Sequence, residues 1–269
     1  MYKYFIVILI LLAVWTFFIE PNILTITSFN VKNKDLKGLK VVFVGDFHVK
    51  PNQRKNLIKV VNKINDQHPD LILCTGDFVS GRKEKNTLPI EEISKELSKL
   101  KSKYGFYTVL GNHDWWQDGE KIGHELEKHG IIVLGNENKI ININGKKLYI
   151  AGVEDLSTRY IDLGKALNKT SSPTILLTHS PDVFPFISKQ ENQELTKKVD
   201  LTLAGHTHGG QVRIPFVGPL IVPSDYGKKY ANGLITENGK QMFVTKGIGT
   251  SILPVRFNCM PEIVVINFI

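Results

Sequence analysis

Between Val41 and His208 the chain repeats one device five times: a short apolar run ends and oxygen- or nitrogen-donor side chains follow at once. VVFVG leads to Asp46 and His48, LILCTG to Asp77, and YTVLG to Asn112, His113 and Asp114. TILLT leads to His179, and LTLAG to His206 and His208. In an open α/β sheet the carboxyl ends of the strands are where ligands bind. Residues i and i+2 of an extended chain share a side, so Asp46 with His48, and His206 with His208, can face one site. The glycines before Asp46, Asp77, Asn112 and His206 are expected to let the backbone turn sharply without a Cβ clash. One such motif alone says little, since a lone strand-end histidine is usually structural; the ordered set is strong evidence. His68, His124 and His129 fall in helical or loop segments and read as surface residues.

The segments between these runs alternate in period. NQRKNLIKVVNKINDQ carries Leu57, Ile58, Val61 and Ile64 on one helical stripe, and PIEEISKELSKLKS is helical with Pro89 near its start. YGFYTVLGNHD reads as a strand, followed by a helix near DGEKIGHELEKHG that stops at Gly130. KIININGKKLYIAGV reads as a hairpin turning at Asn144-Gly145, and further strands are expected in PTILLTH, VDLTLAG, GLITENGKQMFVT and PEIVVINFI. Alternating strands and helices imply an α/β domain with buried sheets, the later hairpins a second or mixed sheet.

Residues Tyr4 to Ile19, YFIVILILLAVWTFFI, are almost continuously apolar. The run is somewhat short for a span of about 17–25 residues, and it ends in FFIEPN without the small-residue cleavage pattern of a removed signal peptide. An uncleaved single-pass anchor is therefore expected, with Trp15 and the nearby phenylalanines at the interface; a buried core helix is the bland alternative. Lys3 precedes the run, and Lys32, Lys34 and Lys37 follow it, so charge does not assign the catalytic domain to a side. The expected division is residues 1–28 as anchor and short connector and 29–269 as one catalytic domain, since no Pro/Ser/Gly-rich linker divides the chain after the anchor.

The net charge of +8 is scattered rather than gathered into a block, so it points to solubilising lysines before it points to nucleic acid. The two cysteines form no CxxC pair, and Cys74, inside an apolar run, reads as a buried thiol. A metal here would be held by His, Asp and Asn. A carboxylate such as Asp77 has two oxygens and can bridge two cations, the clamp used for in-line displacement at phosphorus.

GDFH, TGDFVSG, LGNHD, LTHSP and AGHTHGGQ together resemble the signature blocks of the calcineurin-like metallophosphoesterases, over nearly all of residues 39–269. The resemblance implies a four-layer α/β/β/α sandwich preceded here by one transmembrane or signal-anchor helix. It implies that Asp46, His48 and His208 hold one divalent metal, that Asn112, His179 and His206 hold the other, and that Asp77 bridges them. Mn²⁺ is the metal the family suggests; Fe and Zn²⁺ suit the same N/O donors. His113 would face the substrate and protonate the leaving oxygen, with Asp114 orienting its ring or simply capping a helix. Trp115, Trp116, Arg213 and Lys50 are candidates for substrate contact or for packing. Ser80 stands where the family often has an acidic residue.

The apolar helix and the extended GHTHGGQVRIPFVGPL block resemble a membrane-associated branch of bacterial phosphodiesterases and UDP-2,3-diacylglucosamine pyrophosphohydrolases of lipid A synthesis. The expected substrate is a phosphate-containing, lipid-linked small molecule, with the membrane met through the N-terminal helix and no obligate protein or nucleic-acid partner. The alternatives are a phosphodiesterase of nucleic acid or cyclic nucleotides, and a non-catalytic scaffold on the same fold.

Overall fold

The computed structural model describes residues 2–269. Two six-stranded sheets form its body. The first contains Thr25–Val31 (β1), Lys40–Val44 (β2), Leu71–Cys74 (β3), Phe106–Thr108 (β4), Ile132–Val133 (β5) and Glu262–Phe268 (β14), in the order β1-β14-β2-β3-β4-β5. The second contains Glu137–Ile143 (β6), Lys146–Gly152 (β7), Thr174–Leu177 (β8), Val199–Ala204 (β9), Gly233–Glu237 (β12) and Lys240–Val244 (β13), in the order β12-β13-β9-β8-β7-β6. A small hairpin, Arg213–Ile214 (β10) with Gly218–Pro219 (β11), stands apart from both. Strands β2 to β5 are mutually parallel, as are β7, β8, β9 and β13; antiparallel pairing is confined to the flanks. The Asn144-Gly145 turn joins β6 and β7 as the sequence predicts.

The parallel strands are apolar at successive positions because both their faces are covered. Val41 and Phe43 of β2 point between the sheets, where they meet Leu201 and Leu203 of β9 and Ile175 and Leu177 of β8. Val42 and Val44 point the other way, onto Arg54–Asn65 (α2), Ile90–Leu97 (α3) and Asn112–Lys128 (α4) through Leu57, Ile64, Ile93, Leu97 and Ile122. The second sheet's outer face is covered by the short helices around Ala166, Phe184 and Ile187. The layers therefore run helix, sheet, sheet, helix, in agreement with the expected sandwich. Each fully buried Leu, Ile or Phe in these layers contributes roughly 1.5–3 kcal/mol.

Three local expectations change. β1 begins at Thr25, inside the stretch assigned above to the connector, and pairs in parallel with β14 along its whole length. It was not read as a strand because TITSFNV is an edge segment of half-buried, mixed residues rather than an apolar run. Near YTVLGNHD, β4 is only three residues long and α4 starts at Asn112, so Asn112, His113 and Asp114 lie in the first helical turn. A single extended residue, Asp118 (φ −168°), interrupts that helix. Finally, the N-terminal helical segment runs over Tyr2–Asn22, 21 residues containing an 18-residue stretch of mean hydropathy 2.2, longer than the apolar run read from the sequence. At 1.5 Å per residue this reaches about 30 Å, the thickness of a bilayer core. Its α-helical part, Tyr2–Val14 (α1), buries none of its side chains. Length and composition suit a membrane anchor, and a signal sequence meets the same description.

Both thiols are buried, and burial is the first cause of the raised pKa of each, to about 12 for Cys74. Thiolate is the reactive form. A thiol-exchange reagent is therefore expected to titrate neither cysteine in the native protein and both in denaturant; prompt native reactivity at Cys74 would contradict this packing.

Candidate metal centre

All five donor-bearing segments meet at one place, the carboxyl edges of the two sheets. From the first sheet come Asp46 and His48 after β2, Asp77 after β3, and Asn112 at the start of α4. From the second come His179 after β8 and His206 and His208 after β9. Asp77 stands between the sheets: its Oδ2 is 3.3 Å from His48 Nε2 and 3.4 Å from His179 Nε2. His179 Nε2 is 2.9 Å from Asn112 Oδ1 and 3.1 Å from His206 Nδ1. On the other side, His48 Nε2 is 3.0 Å from His208 Nε2. Asp46, His48 and His208 each present a ligand atom within 4.8 Å of the others, and so do Asp46, Asp77 and His179. A third group of the same size joins His48, Asp77 and His113.

The backbone that brings them together is unusual. Asp46, His48, Asp77, His206 and His208 all have positive φ, between 41° and 71°. The left-handed region costs a non-glycine residue on the order of 1–3 kcal/mol at such sites. The preceding glycines do something other than expected. Only Gly76 has a positive φ among those before Asp46, Asp77, Asn112 and His206. The other three are needed for space: a Cβ on Gly205 would lie 2.8 Å from Asp46 Oδ2, and one on Gly111 would overlap the Asp77 carboxylate and come 2.7 Å from the His179 ring. Five of the seven candidate donors, together with Gly76, take the left-handed turns.

The tautomers suit metal binding. His48 Nδ1 is 3.2 Å from the Val79 carbonyl and His179 Nδ1 is 2.7 Å from the Thr75 carbonyl. A carbonyl only accepts, so each Nδ1 carries the proton and each Nε2 turns a lone pair to the centre. His208 Nδ1 is buried with no hydrogen-bond partner. Burial, and then the neighbouring His208 and His113, push His48 well below its ordinary pKa. Burial lowers His206 to about 3 and pushes His208 well down. Burial opposes charge on His179 too, but the carboxylates of Asp77, Asp46 and Asp155 outweigh it and raise its pKa to about 9. Asp46 and Asp77 are pushed up, chiefly by burial. Neutral His48, His206 and His208 and two desolvated carboxylates aimed at one point have only the protonated His179 as a positive partner; a pair of divalent cations would replace its proton and supply the missing charge. The residues fit the group.

The remaining candidates separate. His113 Nδ1 accepts the Gly81 N–H at 3.0 Å, so its proton is on Nε2, which lies 3.4 Å from Ser251 Oγ. Its ring packs edge-on against His48, with centroids 4.5 Å apart. The Asp114 carboxylate accepts the backbone N–H groups of Asp77, Phe78, Val79 and Gly111, at 2.8 to 3.3 Å. Those bonds fix the Asp77 loop to the start of α4, and the His113 ring is held by Gly81 and Ser251 instead of by Asp114. Trp116 packs on His113 with Arg82 stacked over it, whereas Trp115 packs into the helix layer beneath Arg159. Arg213 donates to the Gly209 carbonyl and to Asn232, so it braces the His208 turn. Lys50 donates to Thr250 Oγ1 at 3.1 Å. Together with Arg82, Lys85, His113, Trp116 and Ile252 it lines an open cleft of about 780 Å³.

Sequence reasoning missed Arg82 in that cleft, where a lone arginine in a polar loop gives no signal. It also missed Arg256, which is wholly buried and donates to the carbonyls of Lys246, Gly247, Gly249 and Cys259.

A two-sheet sandwich with a histidine–carboxylate cluster across its edge defines a metallophosphoesterase. Residues 39–210 match the model of the calcineurin-like phosphoesterase family, and the chain belongs to that family. It is a hydrolase of phosphoric esters. It is 31% identical to the metallophosphoesterase YkuE of Bacillus subtilis over 261 residues, covering 92% of this chain and 86% of that one. It is 31% identical to the phosphodiesterase YaeI of Escherichia coli over 234 residues, covering 86% and 82%. A metallophosphoesterase of Aquifex aeolicus is 30% identical over 266 residues, covering 93% of each.

Because Gly111 sits against both Asp77 and His179, Gly111→Ala is expected to displace them. The variant should keep the far-ultraviolet dichroism of the wild type and retain less than half its bound metal by elemental analysis. Wild-type metal content in folded Gly111→Ala would show that the two side chains do not share the site.

Proposed function

We propose that the chain is a two-metal phosphodiesterase or pyrophosphohydrolase acting at a membrane surface, with a lipid-linked phosphate such as UDP-2,3-diacylglucosamine as substrate. The single observation that carries the reading is the convergence of six further donor side chains, from both sheets, around the Asp77 carboxylate. Asp46, His48 and His208 would hold one ion and Asn112, His179 and His206 the other, with Asp77 shared. Mn²⁺ is the proposed metal. Such ions, when bound, polarise phosphoryl oxygens and lower the pKa of water to supply a nucleophile.

The chain's own residues do the rest. Lys50, Arg82 and Lys85 give the cleft beside His113 a cationic lining that suits a phosphate-bearing ligand. His113, neutral and with its pKa lowered to about 4 mainly by burial, presents Nε2–H as the donor to the leaving oxygen. Gly81 holds the ring in that tautomer. Asp114 acts by positioning: it ties the Asp77 loop to the turn that carries Asn112 and His113. Trp116 and Arg82 form one wall of the cleft. The membrane half of the proposal rests on Tyr2–Asn22 as anchor, ahead of a catalytic body that starts with β1. The phosphodiesterase half draws support from the relative of that name.

Asp77→Ala and His206→Ala are expected to purify folded and to lose at least about 10²–10³ of the turnover of bis-p-nitrophenyl phosphate with Mn²⁺, the scale of an essential electrostatic group. Activity near wild type in Mn²⁺-reloaded Asp77→Ala would remove the bridging role. His113→Ala should lower kcat by about 10²–10⁴ with little change in KM, as loss of a general acid does; an effect on KM alone would make His113 a binding residue. For the substrate, release of UMP from UDP-2,3-diacylglucosamine in mixed micelles is the expected result. Turnover of single-stranded DNA or cyclic nucleotide in its place would overturn the lipid assignment.

A further inference from the structure

The two most exposed large apolar side chains among the described residues sit on neighbouring loops. Phe216 stands fully in solvent at the tip of the β10–β11 hairpin, and Ile252 is 96% exposed. The hairpin segment 214–221, IPFVGPLI, has no charged residue, and Ile214, Val217 and Ile221 are exposed with Phe216. Leu253 is exposed beside Ile252. Leaving such side chains in water forgoes about 1.5–3 kcal/mol each, so a cluster of them marks an interaction surface.

The two loops are joined to each other and to the end of the apolar helix. The Gln211 side chain accepts the Ser251 N–H at 2.7 Å and donates to the Ser251 carbonyl at 3.0 Å. The Arg213 N–H donates to the Phe257 carbonyl at 2.9 Å. The residue before Phe257 continues the series: the Arg256 N–H donates to the Thr16 carbonyl at 3.1 Å, and the Cys259 N–H donates to the buried Glu20 carboxylate. Hairpin, loop and helix end are thus hydrogen-bonded in series. Lys228 follows the hairpin, exposed, with its Nζ on the Val217 carbonyl at 2.9 Å, whereas Lys229 is paired with Glu237; Lys50, Arg82 and Lys85 stand with Ile252 along the cleft. Apolar tips with a basic rim match the boundary between acyl chains and anionic headgroups. Ile252 also lines the cleft that holds His113, so this surface reaches the mouth of the metal centre.

We infer that the 214–221 hairpin and the Ile252–Leu253 loop form a second membrane contact, dipping into an anionic bilayer beside the N-terminal helix and turning the cleft towards phosphates carried at the lipid surface. The inference rests on the reading of the N-terminal helix as a membrane anchor. It adds that the catalytic body lies on the membrane instead of being tethered above it.

The test uses the full chain with its two buried cysteines left in place. Phe216→Cys, Ile252→Cys and Ile221→Cys are each labelled with an environment-sensitive fluorophore and reconstituted into vesicles of equal phosphatidylcholine and phosphatidylglycerol. Ile8→Cys reports the helix, and Lys147→Cys, exposed next to the Asn144-Gly145 turn, reports bulk solvent. Labels at positions 216, 221, 252 and 8 are expected to be blue-shifted and to lose most of their emission when the lipids carry acyl-chain bromine; the label at 147 should respond only to aqueous iodide. If the hairpin and loop labels respond like position 147 while Ile8 is quenched by bromine, the second contact is wrong and the anchor stands. Labels shielded from both quenchers would mean that protein, such as a second copy of this chain, covers the patch, which also overturns the proposal. A water-exposed label at Ile8 would remove the anchor reading and the proposal together.

Discussion

The structure depends on a negative charge placed where two sheets meet. Asp77 comes from the first sheet, yet its carboxylate lies within 3.4 Å of His179 from the second as well as His48 from its own. Both sheets must therefore stop at the same level, and both must do so with little slack. That requirement explains the local oddities. Candidate metal ligands occupy the left-handed region, Gly111 and Gly205 leave room where a methyl group would collide, and Asp114 uses its whole carboxylate on loop amides. Each is unfavourable or neutral taken alone. A divalent cation held by Asp46 and Asp77 would offset them collectively, because binding to the native state alone stabilises it. Without it, His179 takes a proton and remains the charged partner of Asp77.

Much of this was legible because the strands are parallel and doubly buried. Such strands appear in sequence as unbroken apolar runs with sharp ends, and the donors mark those ends: Asp46, Asp77, His179 and His206 all follow runs that proved to be strands. The layer order followed from the alternation of periods and from the resemblance. What escaped had weaker one-dimensional signals. β1 carries half-buried residues on an edge and owes its place to β14, more than two hundred residues away in the chain. The start of α4 was missed because Asn112, His113 and Asp114 read first as donors after a strand. Trp115 and Trp116 are adjacent and chemically identical, yet a helix sends neighbours to different surroundings, so one packs in the core and the other walls the cleft. Arg82 and Arg256 are single cations in loops, and only the folded chain reveals that one faces the cleft and the other is buried.

Arg256 shows how the site and the helix end are made one object. Its guanidinium spends its donors on four backbone carbonyls, of Lys246, Gly247, Gly249 and Cys259. A planar fork of five N–H groups can do this; an ammonium with three donors cannot. Two of those carbonyl residues lie against the metal site: Gly247 is packed on the Asp46 side chain, and the Gly249 N–H donates to the Asp46 carbonyl at 2.7 Å. The same loop reaches back through the Cys259 thiol to the His208 carbonyl at 3.3 Å, and through the Cys259 N–H to Glu20. Glu20, itself buried, accepts the Trp15 indole N–H at 2.7 Å. A chain of hydrogen bonds thus runs from the last turns of the apolar helix to the backbone behind Asp46 and His208. A flexible tether would leave the catalytic body free to tumble at the end of its helix; a buried carboxylate and a buried guanidinium in series give it one orientation. Under the proposed anchoring, that fixed orientation would decide which phosphates reach the cleft.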